Sequence, residues 1–130
     1  MRNFIFAALA LVAVNGRAED SFDRRVAVAK QLEDAPEGQA YDDVLYGAIG
    51  NYIQKAMVAC FPKGVARDTS SFTLVADILP NGTAARVEVR PNTKMSACFK
   101  DMFAGAPFPA LPAYAGANGL PIFIDMKIEN

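Results

Sequence analysis

The chain has 130 residues, with 13 Lys and Arg, 14 Asp and Glu, two Cys and no His. This length predicts a single domain, and the near balance of charge argues against a nucleic-acid or anionic-membrane surface. A chain without His lacks the commonest zinc ligand and the commonest general base, and two Cys alone cannot form a structural zinc site. Composition therefore excludes imidazole-dependent triads and most metalloenzymes, and we expect neither a metal nor a cofactor.

The first residues have the layout of a secretory signal peptide. Arg2 precedes an apolar run over residues 4–14, and Ala18 offers a small residue at a cleavage site. The alternative is an uncleaved anchor, but a bilayer span takes about 20 apolar residues and this run is shorter. We expect a signal peptide over 1–18, no integral membrane anchor, and a periplasmic or secreted product.

Both cysteines, Cys60 and Cys98, follow the expected cleavage site. In an oxidising compartment, an even pair in a small domain is typical of a structural disulfide. A redox-active pair is the alternative, but that chemistry usually uses a C-x-x-C spacing. We therefore predict a structural bridge between them.

Two helices are predicted in the first half of the chain. The first helix is predicted over residues 20–34, which carry a thin apolar stripe. Asp20 is its expected N-cap, and residues 35–38 end it. Residues 41–60 have the strongest helical periodicity, with apolar residues at spacings of three and four. This predicted inner face consists of Tyr41, Val44, Leu45, Ala48, Ile49, Tyr52, Ile53, Ala56, Met57 and Cys60.

A β-hairpin is predicted next, because residues 71–79 and 84–90 both alternate with a period of two. Asn81-Gly82 between them is a strong hairpin turn signal. In the second strand we expect an inner face made of Ala85, Val87 and Val89.

A helix over 94–104 and a strand over 120–128 complete the predicted elements, joined by a Pro-rich loop over 105–119. The helix carries Cys98 on its apolar face, so both thiols point into one core. In the loop, Phe108 and Leu111 are expected to press onto that core. The element order predicts an α+β domain with helices on one face of a small three-stranded antiparallel sheet.

The last strand is the most informative candidate site. Pro121 cannot donate a ladder hydrogen bond, so it belongs either in an edge strand or at the start of a strand. An exposed edge offers backbone groups to an extended peptide, although Asp125, Lys127 and Glu129 would also blunt an edge against self-association. The residues predicted to bind a partner are Ile122, Phe123, Ile124, Asp125, Met126 and Lys127.

Candidate catalytic groups are weak. Asp42-Asp43 are adjacent helical residues that diverge rather than face each other, and Asp20 and Asp23 suit a helix start. Ser70 and Ser71 lie near Lys63 and Arg67, but no nucleophile elbow surrounds either serine. We predict no catalytic residue, and a hydrolase is the least supported hypothesis.

The order of these motifs resembles the C-terminal domain of TonB and TolA energy transducers. The likeness covers roughly residues 41–128. Its motifs are the turn Leu79-Pro80-Asn81-Gly82-Thr83, the helix residues Ser96-Ala97-Cys98-Phe99, the loop Ala106-Pro107-Phe108-Pro109-Ala110-Leu111-Pro112, and the helix end Cys60-Phe61-Pro62.

The resemblance implies a periplasmic protein-binding module rather than an enzyme. Partners of that family dock beside the last strand, which corresponds here to residues 120–128, and a disulfide reaching the helix after the hairpin fits Cys98. Transducers carry a membrane anchor and a long spacer, whereas here a cleavable signal and a helical segment over 19–38 precede the domain at 39–130. The transducing role is therefore not implied.

Two function hypotheses follow from different classes. The first is a stand-alone domain that binds an envelope protein or peptide segment through its last strand. The second is a secreted inhibitor or immunity-type protein that acts through the Pro-rich loop 105–119. The sequence leaves the oligomeric state and the identity of the partner open.

Overall fold

The computed structural model describes residues 21–61, 63–64, 66 and 68–128. The predicted signal peptide over 1–18 lies outside these residues, as do Asp20 and Glu129. The described chain forms three helices and three strands in the order α1 Phe22–Asp34, α2 Pro36–Ala59, β1 Phe72–Ile78, β2 Ala84–Arg90, α3 Lys94–Phe103 and β3 Leu120–Met126. The predicted α+β class with a small three-stranded antiparallel sheet is confirmed.

The sheet has the strand order β2-β1-β3, with both neighbours antiparallel to the central β1. The β1–β2 hairpin closes through Leu79, whose N–H donates to the Thr83 carbonyl at 2.8 Å. Gly82 has a φ of +86° in this turn, a conformation that side chains with a Cβ adopt at a cost. The Asn-Gly signal therefore marks the hairpin correctly.

The main core lies between α2, α3 and one face of the sheet. Period-two alternation in β1 sends Phe72, Leu74, Ala76 and Ile78 into this core, where α2 contributes Ile49 and α3 contributes Phe99 and Phe103. The largest fully buried side chains of this cluster each contribute about 1.5–3 kcal/mol by leaving water. They are Phe99, Phe103, Ile49, Leu74 and Ile78.

Helix α1 covers the opposite face of the sheet, so the expectation of helices on one face is wrong for this element. Val75 and Asp77 alternate with the core residues of β1 yet are 0% and 6% exposed. Arg25 of α1 reaches Asp77 and Glu88 on this second face. The apolar stripe of α1 is thin because part of its contact with the sheet is ionic rather than apolar.

A β-bulge in β2 also departs from the sequence prediction. Val75 pairs with Glu88 and Asp77 pairs with Ala85, so Arg86 and Val87 together oppose one residue of β1. Arg86 has a φ of 50°, and the side-chain alternation changes phase there. Ala84 packs against the core, while Ala85, predicted to face inward, lies outside the core cluster.

The first two helices are joined by a single residue, and we call this junction the α1–α2 corner. Ser21 caps α1 by accepting a hydrogen bond from the Arg24 N–H, and Ala35 alone separates α1 from α2, which begins at Pro36. The predicted interruption over 35–38 is therefore mostly helical, and residue 38 lies inside α2. On the predicted inner face of α2, Val44 is 54% exposed and Ala48 is also exposed, because the buried stripe of this helix, which runs through Tyr41, Leu45, Ile49 and Ala56, is narrower than predicted.

Candidate functional site

The predicted binding strand, β3, lies at one edge of the sheet. It pairs with β1 along its whole length, from Phe72 opposite Met126 to Ile78 opposite Leu120. In the described part of the chain, no strand pairs with its other side. The outer flank of β3 is therefore the side on which a further strand would align.

The six predicted partner-binding residues divide between the core and the second face of the sheet. Ile122 and Ile124 are buried, and Met126 packs against the same core. Phe123 is half-buried, whereas Asp125 and Lys127 are exposed. Thr73 donates a hydrogen bond from Oγ1 to Asp125 Oδ1 at 2.6 Å, which fixes that carboxylate over the sheet. A partner strand at this edge would thus contact the backbone of β3 and the side chains of Phe123, Asp125 and Lys127.

The corner between α1 and α2 stands next to this edge. Residues of both helices and the β3 segment Leu120–Ile124 line one small cavity of about 20 Å³. Glu33, Asp42 and Tyr46 are among the helical side chains there. Asp125 and Lys127 are not part of this lining, so the corner restricts the first half of β3 more than the second.

The corner between α1 and α2 is acidic, and the pKa of Glu33 is raised there. Burial raises the pKa of Glu33 from 4.5 to about 7, with further contributions from a hydrogen bond and the charge of Asp42, then from Asp34 and Asp125. The pKa of Tyr46 is raised by burial first and then by the charges of Asp42, Glu33 and Asp125. A positively charged group brought to this edge would relieve the repulsion between these carboxylates.

The predicted disulfide is confirmed, with Cys60 Sγ bonded to Cys98 Sγ at 2.09 Å. It joins the end of α2 to the middle of α3 and closes a loop of sequence separation 38. A loop of that size stabilises the fold by about 4 kcal/mol in the chain-entropy account. The bridge holds α2 and α3 on the core side of β1 and leaves β3 outside the covalent loop.

The loop over 105–119 packs inward at the two residues that were expected to do so. Phe108 and Leu111 both pack against the core, and the Phe108 ring meets Phe103 edge-on at 5.2 Å between centroids. Tyr41 supports the loop by donating a hydrogen bond to the Pro109 carbonyl at 3.4 Å. Tyr114 is exposed, and it borders an open apolar cleft of about 480 Å³ with Val44.

A second cluster, which sequence analysis missed, lies between α1 and the bulge. Arg25 is 5% exposed, and it donates from Nη2 to the Arg86 carbonyl at 2.7 Å and from Nη1 to Glu88 at 3.3 Å. Arg86 Nε donates to Asp77 Oδ2 at 2.6 Å. The carboxylate of Asp77, next to the last residue of the largely apolar central strand, was the available signal, because a buried charge needs a partner.

The candidate nucleophiles Ser70 and Ser71 are both exposed. The pKa of Asp68 is lowered first by a hydrogen bond from the Ser70 side chain and then by one from the Ser70 backbone N–H, which lies 3.0 Å from Asp68 Oδ1. Asp42 lies at the acidic corner, while Asp43 points away from it as an exposed residue. Among the residues that the structure describes, no group of three or more His, Cys, Asp or Glu side chains is arranged to hold a metal ion.

Comparison with known proteins finds no match, whether against family models, curated proteins or solved structures. Within the described ranges, no helix has both the length and the apolar character needed to cross a membrane.

Proposed function

We propose that this protein is a non-enzymatic binding module of the periplasm or the extracellular space, similar to the C-terminal domain of TonB and TolA. It takes up an extended segment of an envelope protein along β3. The single observation that carries the proposal is the position of β3, a seven-residue strand with β1 as its one strand neighbour among the described residues. Backbone groups on a free strand flank provide affinity without any reactive side chain.

Several features of the chain support this proposal. The Asn-Gly hairpin, the helix after it and the Phe108 loop occur in the order that the resemblance requires. The bond between Cys60 and Cys98 is typical of an exported protein of this size, because such bonds persist in oxidising compartments. Both features favour export and the proposed family likeness over a cytosolic enzyme.

Charge at the edge favours a basic partner. Glu33, Asp42 and Asp125 interact electrostatically at this corner, and a Lys or Arg on an incoming strand would offset their mutual repulsion. The incoming segment would begin pairing at the Asp125 end, since the helical corner lines the other half of the strand. The proposed ligand is thus an extended segment with at least one basic residue.

Proline substitution along β3 tests the proposal. Along an edge strand, successive N–H groups point alternately to the neighbouring strand and outward, so one of Phe123 and Ile124 has its N–H facing outward. The outward-facing position should tolerate proline in the fold, and Phe123→Pro or Ile124→Pro should then abolish partner capture. Val87→Pro and Glu88→Pro on β2 are the matched controls, because β2 is the opposite edge of the same sheet.

The measurement is crosslinking in the native compartment followed by mass spectrometry, with circular dichroism to identify the folded variant. Loss of the crosslinked partners in the folded β3 variant alone would support strand addition. If the folded β3 variant retains every partner, strand addition at this edge is wrong.

The cleft beside Tyr114 favours the inhibitor hypothesis as a second candidate. In that function the loop 105–119 would present Tyr114 to an enzyme, beside the exposed Val44 of α2. Tyr114→Ala should then abolish inhibition while the thermal stability stays close to that of the wild type, because Tyr114 is not part of the core. Retained partner capture by Tyr114→Ala, together with loss in the β3 variant, would decide against the loop.

A further inference from the structure

One side of α2 is exposed along the whole length of the helix. The helix has 24 residues and is therefore about 36 Å long. Exposed residues recur on it at spacings of three and four, which places them within about 80° of each other around the helix axis. We call this side the outer face of α2, and its main members are Ala40, Val44, Ala48, Asn51, Lys55 and Val58.

The outer face carries the two most exposed large apolar side chains of the described residues. Val58 is 71% exposed and Val44 is 54% exposed, and about four helical turns separate them. The residues midway along the helix are small. They are Ala48 and Gly47, at which an added Cβ would meet nothing within 4 Å. Another helix can therefore approach the middle of α2 closely.

An open apolar cleft lies at the N-terminal end of the outer face. It measures about 480 Å³ and lies between α2 and the loop 105–119, where Val44 and Tyr114 are among its lining residues. Val58 protrudes near the other end of the same helix. The face thus presents an apolar cleft at one end and an exposed apolar side chain at the other.

The charges at the two ends of the outer face are opposite. Glu37 lies in the first turn of α2 and also lines the cleft, whereas Lys55 lies about one turn before the C-terminal end. Both are exposed, and the ion pairs formed by the described residues involve neither of them. An antiparallel copy of the helix would bring Lys55 to the end that carries Glu37, so the face is complementary in charge to itself.

The spacing along the helix matches a two-fold arrangement. If two copies of α2 cross antiparallel between Gly47 and Ala48, Val58 and Glu37 lie at equal distances of about 16 Å on opposite sides of the crossing point. Val58 of each copy then comes opposite the cleft of the other. Because a two-fold interface uses the same patch on both chains, each of these contacts forms twice.

We infer that the outer face of α2 is the interface of a homodimer, in which the occupant of the cleft is Val58 of a second copy of this chain. Lys55 of each copy lies beside Glu37 of the other. A single helix face buries less surface than a standard protein interface, so the dimer is reversible and forms in the micromolar range. The β3 edge takes no part in this contact, so self-association and partner capture are separate properties.

Sedimentation equilibrium of the disulfide-bonded protein, from about 1 to 500 µM, tests the dimer. A mass that rises from monomer to dimer supports the proposal, and a monomer mass at every concentration overturns it. In a sample that mixes labelled and unlabelled chains, intermolecular NOEs between the Val58 methyl groups and the Tyr114 ring identify the interface. Their absence at concentrations where the dimer predominates would place the contact elsewhere and overturn the assigned face.

Val58→Asp should weaken the dimer at least about tenfold, because each dimer would place two carboxylates in apolar clefts. The side chain is mostly exposed in the monomer, so the variant should fold, which circular dichroism verifies. The matched control is Val28→Asp on α1, another exposed valine, which should change the dissociation constant by less than about twofold. Equal effects from the two substitutions would overturn the assignment.

Charge reversal gives a test that a loss of folding cannot mimic. Lys55→Glu and Glu37→Lys should each weaken self-association about tenfold, because each turns two attractive pairs into repulsive ones. An equimolar mixture of the two variants should dimerise about as tightly as the wild type, since both pairs are then attractive between unlike chains. A mixture that associates no better than either variant alone would contradict the antiparallel arrangement.

Discussion

Arg25 donates a 2.7 Å hydrogen bond from Nη2 to the carbonyl of Arg86, and this contact fastens α1 to the bulge of β2. The same guanidinium meets Glu88 at 3.3 Å and Asp77 at 3.7 Å. A buried guanidinium thus supports the second face of the sheet, where α1 has few apolar contacts: its buried residues are Phe22, Arg25 and Ala29.

Replacing Arg25 should destabilise the fold strongly. Arg25→Ala leaves the Arg86 carbonyl without its donor and removes one of the two guanidinium partners of buried Asp77, and breaking a buried pair in this way costs about 3–5 kcal/mol. Urea denaturation monitored by circular dichroism measures the free energy of unfolding. Lys30→Ala on the exposed side of α1 should change it by no more than about 0.5 kcal/mol, and similar losses in both variants would contradict this role of Arg25.

Two glycines of α2 should respond in opposite directions to alanine. A Cβ on Gly38 would overlap the Leu32 carbonyl oxygen, a backbone atom that cannot move without opening the α1–α2 corner. Gly38→Ala should therefore lower the free energy of unfolding by about 3 kcal/mol or more, the upper end of the range for overpacking. A Cβ on Gly47 meets nothing within 4 Å, so Gly47→Ala should stabilise α2 by about 0.5–1 kcal/mol.

Thermal melting of both glycine variants checks this contrast. A lowered melting temperature for Gly38→Ala with a raised one for Gly47→Ala is the expected pattern. Destabilisation by both substitutions to the same extent would show that the close approach of Gly38 to α1 does not determine the response.

Stability should fall as the pH rises from about 4.5 to about 7. The pKa of Glu33 is raised in the folded state from 4.5 to about 7, chiefly by burial, so the folded protein holds that proton more tightly than the unfolded chain. The associated stability is complete below pH 4.5 and is lost as the pH rises through 7. Denaturant unfolding between pH 4.5 and 8 measures this loss.

Glu33→Gln should flatten this part of the pH profile, because a neutral amide at the corner has no proton to lose. Glu37→Gln, an exposed position at the start of α2, is the control and should leave the profile as in the wild type. A Glu33→Gln profile that still falls between pH 4.5 and 7 would assign the effect to another group.

Reduction of the disulfide should lower the free energy of unfolding by about 4 kcal/mol, since the bridge closes a long loop. The measurement compares denaturation with and without dithiothreitol, and Cys60→Ala with Cys98→Ala should match the reduced protein. Two titratable thiols in the unreduced protein would contradict the bridge itself.

The sequence was most informative where one periodicity governs an element. The elements β1, α3 and β3 have core faces with one regular periodicity, and the placement of Cys60 and Cys98 on the apolar faces of two helices correctly indicates their pairing. In β3 the alternation also separates buried Ile122 and Ile124 from exposed Asp125 as predicted.

The errors arose where ionic contacts or backbone strain replace apolar burial. Arg25 belongs to the buried side of α1, which no apolar periodicity reveals, so the second face of the sheet was missed. Arg86 adopts a left-handed φ that is unusual outside glycine, so the phase change at Ala85 had no local signal. The end of α1 at Asp34 is as predicted, but α2 begins at Pro36 rather than near residue 41, because proline also suits the first turn of a helix.

The single cystine divides the domain into tethered and untethered parts. The loop between Cys60 and Cys98 encloses β1 and β2, whereas α1 and β3, which pack against each other, both lie outside it. Amide hydrogens of these two elements should therefore exchange first and together under native conditions, as one low-stability unit. An incoming strand would meet this unit rather than the tethered hairpin, so affinity for a partner would be tuned by substitutions in α1 that never touch the ligand.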